Sequence, residues 1–222
     1  HSPTDGRAEP SLAGPAIAEA ARRLGATIHQ DCAARGLETE AGKVSGVITE
    51  EGVIRTQAVL LAGGAWSGLF CRRHGLRLPQ AGVKSTSFST EAAPEIAKGG
   101  LSMPDVTIRR RLDGGYTVGL GGRGLLELSP QGLMYARDFW PTFKKRRWGL
   151  GFSVGRSFFD GPEMLARWSF DKPSPFERHR TLDPGADPKL VQLGLTRLGE
   201  HYPALKGLKV AQSWGGLIDS TP

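Results

Sequence analysis

The chain has 222 residues, 39% of them hydrophobic and 23% charged, with a formal net charge of +7, the profile of a soluble globular protein of one or two domains. No apolar run approaches the ~18 residues that a membrane-spanning helix requires, and two cysteines, Cys32 and Cys71, are too few for a disulfide framework or a zinc site and fit a reducing compartment. The five histidines show no HxxxH or HExxH spacing, so no metal site is predicted, and the absence of asparagine excludes N-linked glycosylation.

His1 stands where an initiator methionine would, and neither a charged n-region nor an apolar h-region follows, so no signal peptide is predicted and a beginning further upstream is expected. Residues 11 to 24 read as a helix. Leu12, Ala16, Ile17, Ala20, Ala21 and Leu24 recur at helical spacing, Ser11 can cap it, and Gly25 can end it. Thr27 to Arg35 reads as a strand. Two shorter strands flank Glu40-Ala41-Gly42-Lys43, a hairpin signal, and Val53 to Thr56 leads on. Residues 58 to 62 form an apolar run that stops at Gly63 and Gly64. This is the pattern of a strand buried on both faces whose glycines let a ligand approach the main chain.

Pro79 marks a change. Val83 to Thr90, Val106 to Leu112 and Tyr116 to Leu120 alternate, the last two joined by Asp113-Gly114-Gly115, and successive hairpins predict an antiparallel sheet in a second domain. Helices are predicted over 130–147, opened by Ser129-Pro130, and over 187–202, opened by Asp187-Pro188 and stopped by Pro203. Leu208 to Ser213 reads as a final strand, and no closing element follows Gly215.

Several motifs compete for the chemistry. Gly119, Gly121 and Gly124 satisfy GxGxxG, but the fingerprint needs a buried strand before it and a helix after it. Here a hairpin arm precedes and Leu125 to Leu128 follows, so the match reads as a decoy. Gly151-Phe152-Ser153-Val154-Gly155 satisfies the GxSxG of a hydrolase elbow, with Asp171, His179 and His201 downstream. It too lacks the strand-turn-helix setting. Lys144, Lys145, Arg146 and Arg147 lie between Trp140 and Trp148. Such a run could bind single-stranded nucleic acid, yet cations also suit the last turn of a helix, and that reading is preferred.

With these pieces placed, the sequence resembles the flavin-dependent amine and amino-acid oxidoreductases of the D-amino-acid oxidase superfamily, especially the branch similar to D-amino-acid dehydrogenases. The matching stretches run in family order: Asp5-Gly6-Arg7-Ala8-Glu9-Pro10, Cys32 to Glu38, Val44-Ser45-Gly46-Val47, Ala62-Gly63-Gly64-Ala65-Trp66-Ser67, Asp113 to Val118, Pro175-Phe176-Glu177 with Arg180, and Trp214 to Pro222. The family's opening βαβ unit, with its glycine loop for the FAD pyrophosphate, and the segment after the final Thr-Pro have no counterpart in this sequence.

The resemblance implies a mixed α/β chain with a partial FAD-binding Rossmann-like domain at 1–79, an antiparallel-sheet substrate domain at 80–204 and a return strand at 205–222. It implies FAD as the cofactor, with Ala34, Ala62, Gly63, Gly64, Ala65, Trp66 and Ser67 facing it. The implied reaction is hydride transfer from Cα of an amine or amino acid to the flavin, with oxygen, a quinone or another electron carrier as the final acceptor. A carboxylate substrate calls for an arginine, and Arg109, Arg111 and Arg123 are candidates. Tyr116 and Trp214 are candidates for the cavity wall. No catalytic residue is assigned, no nucleic-acid partner is expected, and the expected location is cytoplasmic or peripheral at the inner face of the membrane. Without the pyrophosphate loop the chain alone is expected to be inactive. The rival readings are a non-catalytic basic binding module on the same fold and a serine hydrolase.

Overall fold

A computed structural model describes residues 6–222, apart from the side chains of Arg146 and Ser157. Asp5 of the first matching stretch and the Arg146 side chain of the basic run therefore lie outside the described residues. The described chain divides into two compact units, one made of residues 6–30, 85–123 and 184–216, the other of residues 31–84, 124–183 and 217–222.

In the first unit, helix α1 (Pro10–Arg23) has Pro10 in its first turn and Glu9 at the N-cap position. Ser11, expected as the cap, lies inside the helix. Gly25 follows with φ of 95°, a conformation that glycine adopts without a Cβ penalty. Strands β5 (Gly100–Ser102), β6 (Val106–Arg110) and β7 (Tyr116–Leu120) and the second half of β4 (Ala81–Thr90) form an antiparallel run in the order β5-β6-β7-β4. The hairpin expected around Asp113-Gly114-Gly115 is present, and the Gly115 N–H donates to Asp113 Oδ1 at 2.9 Å.

Strand alternation sends Val106, Ile108, Tyr116 and Val118 to one face, where they meet Phe88, Leu198 and Leu205 in the core. Leu198 belongs to helix α6 (Pro188–His201), capped by the Asp187 side chain. At Gly194 a Cβ would come within 2.6 Å of the Phe88 ring, so the glycine lets α6 lie close to the sheet. Strand β10 (Val210–Ser220) pairs with β4 and is longer than the Leu208 to Ser213 segment expected.

The second unit opens with the antiparallel strands β1 (Ala34–Glu40), β2 (Lys43–Thr49) and β3 (Gly52–Arg55). Ala41 and Gly42 turn β1 into β2 with φ of 48° and 77°, the two positive angles of a type I′ hairpin. Helix α2 (Ser67–Arg73) follows a 3-10 turn, Gly64–Trp66. Strands β8 (Gly124–Leu128) and β9 (Leu150–Val154) pair in parallel, linked by helices α3 (Pro130–Met134) and α4 (Ala136–Arg146). The helix expected over 130–147 is thus broken at Tyr135, and the sheet beyond residue 80 is mixed rather than wholly antiparallel. Leu69, Met164 and Trp168 form this unit's core. Helix α5 (Pro175–Arg178) completes the elements.

The strand expected over Thr27 to Arg35 begins only at Ala34, as the head of β1, and the one expected at 58 to 62 is absent. Residues 27–33 and 58–62 carry no regular structure, and Leu60 is 92% exposed. An apolar run becomes a strand only where neighbours complete its hydrogen bonds; Ala33 alone of these two segments bonds across to the backbone of Glu50, at 3.1 Å, and among the described residues no strand pairs with either segment.

Candidate functional site

The second unit places the glycine pair expected to face a ligand at an open turn. Ala62, Gly63 and Gly64 are exposed, Ala65 and Trp66 half-buried and Ser67 buried. Gly64 has φ of 53°, and no heavy atom lies within 4 Å of where its Cβ would be. Trp66 packs edge-on against Phe176, with ring centroids 5.3 Å apart.

Beneath the turn lie Gln80, Gln131 and Glu163, buried polar side chains that nothing in the sequence pattern marks, with half-buried Arg72 and exposed Asp219 bonded around them. The Gln80 amide nitrogen donates to the Gly64 carbonyl at 3.2 Å and to Asp219 Oδ2 at 3.2 Å. The Gln131 amide donates to the Gln80 carbonyl at 2.8 Å. Glu163 accepts the Gly82 N–H, and burial raises its pKa against the pull of that bond, of Ser129 and of Arg72. Burial also lowers the pKa of Arg72, which donates to the Met164 carbonyl at 2.7 Å. A Cβ at Gly68 would lie 2.8 and 2.9 Å from the amide oxygens of Gln131 and Gln80, so α2 closes on this cluster only through a glycine.

Ala34, expected to face the cofactor, is exposed at the start of β1. Its neighbour Arg35 is 14% exposed and bonded at 2.6 Å to Glu177, itself 9% exposed, while the Arg35 carbonyl accepts the Trp168 indole N–H at 2.8 Å. Arg180 grips Glu50 through two bonds, at 2.8 and 2.7 Å. Glu177 and Arg180, quoted above for their place in the family pattern, therefore work as struts of the fold.

The Arg35 guanidinium is the main cause that holds the Glu177 pKa down at about 2, from 4.5, with burial opposing it and the Ser174 N–H assisting. Because the folded pKa lies below the unfolded one, this stabilisation is complete above about pH 4.5 and is lost as pH falls toward 2. At ~1.4 kcal/mol per pKa unit the shift sets a ceiling near 3 kcal/mol, which solvent screening trims to about 2. Urea midpoints measured from pH 6 to pH 3 should fall steeply in the native protein. They should fall less in Glu177→Gln, which has no carboxyl to titrate there.

The candidate substrate residues all belong to the first unit. Tyr116 is 0% exposed; its hydroxyl donates to the Pro94 carbonyl and accepts the Ile96 N–H, both at 3.0 Å. It packs as a core residue of the first unit. Arg109 pairs with Glu9 at 2.8 Å and Arg111 with Asp113 at 2.9 Å, so both are engaged within the unit. Arg123 is exposed and Trp214 half-buried on β10.

The motif matches also take their places. Gly124 opens a strand, and Cβ atoms at Gly121 and Gly124 would lie 2.6 Å from the Pro104 carbonyl and 2.4 Å from Val83. These are packed glycines rather than a phosphate cradle. Ser153 lies within β9, His179 bonds Asp160 at 2.7 Å and His201 bonds Asp105 at 2.8 Å, so neither histidine partners the serine. Lys144 and Arg147 rest over the rings of Trp140 and Trp148 at 5.4 and 4.9 Å. Among the described residues no cluster suits a metal ion and no helix is long and apolar enough to cross a membrane.

The profile of the DAO family, described as FAD dependent oxidoreductase, matches residues 1–222. The chain belongs to this family. Among curated relatives, a glycine oxidase of Pseudomonas putida is 34% identical over 99 residues, 42% of this chain and 26% of that protein. A D-amino acid dehydrogenase of Sinorhizobium medicae is 38% identical over 78 residues, 35% of this chain and 19% of that protein. Among solved structures, the L-amino acid deaminase from Proteus myxofaciens in complex with anthranilate superposes with a TM-score of 0.87 at 29% identity, over 96% of this chain and 47% of that one. The chain thus spans about a fifth to a quarter of these curated relatives through the matched segments and about half of the solved one. Membership of the FAD-dependent family agrees with the resemblance and with the mixed α/β architecture expected.

The open Gly63-Gly64 turn, its carbonyl drawn inward and its outer side clear, fits a cofactor that lies against main chain. The glycines at 119 to 124 do not fit a pyrophosphate. The residues present thus suit one part of FAD and not its charged centre.

Proposed function

We propose that this chain contributes the substrate-facing portion and one cofactor-facing loop of an oxidoreductase that oxidises an amine or amino acid by loss of hydride from Cα. The match to the FAD-dependent family along residues 1–222 carries this reading. The amino-acid names of the relatives support the substrate class. When bound, FAD supplies the two-electron acceptor. The chain's part is to hold and orient: the Gly63 to Ser67 loop, with β1 from Ala34, takes the cofactor, while Arg123 offers a planar fork to a carboxylate and Trp214 an apolar wall. Oxygen, a quinone or another carrier would reoxidise the flavin, and the location proposed is cytoplasmic or peripheral at the inner membrane face.

The full-length natural protein should show visible flavin absorption that bleaches when its amino-acid or amine substrate is added without oxygen. A colourless protein after reconstitution with FAD would refute the reading. The 222-residue chain by itself should emerge colourless from desalting after incubation with FAD, because a dinucleotide draws much of its affinity from a pyrophosphate on a glycine loop and helix N-terminus. Near-stoichiometric flavin in that sample would overturn this second expectation.

A further inference from the structure

We propose that Gln80 is a positioning residue for the cofactor-facing loop, acting through the Gly64 carbonyl. The inference rests on the flavin reading above. Gln80 is 5% exposed and its amide nitrogen meets two acceptors, the Gly64 carbonyl and Asp219 Oδ2, each at 3.2 Å. Rotating the amide by half a turn would set its oxygen against both acceptors, so the network fixes which end is nitrogen. The main chain of Gln80 is fixed as well, since its carbonyl accepts from Gln131 at 2.8 Å.

Gly64 needs such a restraint. Its carbonyl also accepts the Ser67 N–H that closes the 3-10 turn, but its positive φ and the open space where a Cβ would stand leave the outer side of the turn clear, and glycine is the residue with most backbone freedom to lose. Among the described residues no peptide bond is cis, and in a trans peptide the carbonyl and the following N–H point in opposite directions. A Gly64 carbonyl drawn inward to buried Gln80 therefore turns the Ala65 N–H outward, where it can donate to an acceptor atom of the bound flavin nucleotide. Asp219 keeps the amide aimed. The sequence signal is slight: one glutamine between Pro79 and Ala81, and one acid before the closing Ser-Thr-Pro.

The test uses the holoenzyme and two variants. Gln80→Met fills nearly the same space without a donor. Gln80→Glu places a carboxyl there, which can donate when protonated and cannot when ionised. FAD dissociation constants and visible flavin spectra are measured from pH 5 to 9, with thermal melts to follow folding. Loss of one positioning hydrogen bond should weaken FAD binding by about tenfold. Gln80→Met should show that loss at every pH, with a shifted flavin band. Gln80→Glu should bind like the native enzyme at low pH and lose affinity as pH rises through the pKa of the introduced carboxyl, while the native profile shows no such step.

Native-like affinity and spectrum in Gln80→Met would overturn the proposal. So would a Gln80→Glu variant that remains folded at pH 5 yet stays weak there. A native protein that takes up no flavin would instead refute the cofactor reading itself, so the two failures are told apart by the unmutated sample.

Discussion

Gly215→Ala should destabilise the protein by about 3 kcal/mol, the upper end of what overpacking costs when the obstacle is main chain. A Cβ at Gly215 would lie 2.0 Å from the Gly185 carbonyl oxygen and 2.7 Å from its carbon. No rotamer relieves that contact. Either β10 or the segment ahead of α6 must move, and Trp214 would move with β10. The neighbour supplies the control. At Gly216 the nearest atom to a new Cβ is Ser85 Oγ, at 3.6 Å, an ordinary contact, so Gly216→Ala should cost under about 1 kcal/mol. Denaturant unfolding of the two variants side by side decides the matter; equal stabilities would show that the Gly185 contact yields freely.

Arg35→Ala is the second large effect. It strands the Glu177 carboxylate, which also accepts the Ser174 N–H, in a setting 9% exposed. Removing one partner of a buried pair costs more than the pair contributes, because the remaining charge has lost its solvation. This pair is flanked by exposed residues such as Arg178 and Arg180, which places the cost at the lower end of the usual range, about 3 kcal/mol. The melting temperature should drop by about 10 °C. The double change Arg35→Ala with Glu177→Gln should recover part of it, since a neutral amide needs less solvation. No recovery in the double variant would mean that packing of the arginine stem, and not charge, is what β1 requires.

How much of this was legible beforehand differs by region. The β1-β2 hairpin was readable because Ala41-Gly42 is a turn whose chemistry is local, and the alternation of Val106, Ile108, Tyr116 and Val118 was readable because one face of a sheet imposes a period of two. Residues 58 to 62 misled for a physical reason. A short apolar run states a preference for burial without saying what will cover it, and Leu60 lies in the open. At Tyr116 the sequence leaves a choice open, since an aromatic in a strand can line a cavity or fill a core; its hydroxyl meets Pro94 and Ile96. The order of the family stretches made the FAD-dependent assignment readable. The polar support under Gly64 was not, since Gln80, Gln131, Glu163 and Asp219 are scattered over the sequence and converge only through folding. Arg35 with Glu177 was half visible, as a family stretch without a stated partner.

The exposed ribbon at β3 bears on how the polypeptide behaves in a test tube. Val53 and Ile54 stand exposed on a strand that, among the described residues, pairs only with β2, and Val59, Leu60 and Leu61 follow within a few residues, also exposed. An unpaired strand edge beside uncovered aliphatic side chains is a template for a second copy of itself. Chains meeting at that edge would join by backbone bonds that carry no selectivity. The surplus of positive charge, +7 over the chain, repels copies from one another, and salt, which shortens the reach of that repulsion, works against colloidal stability.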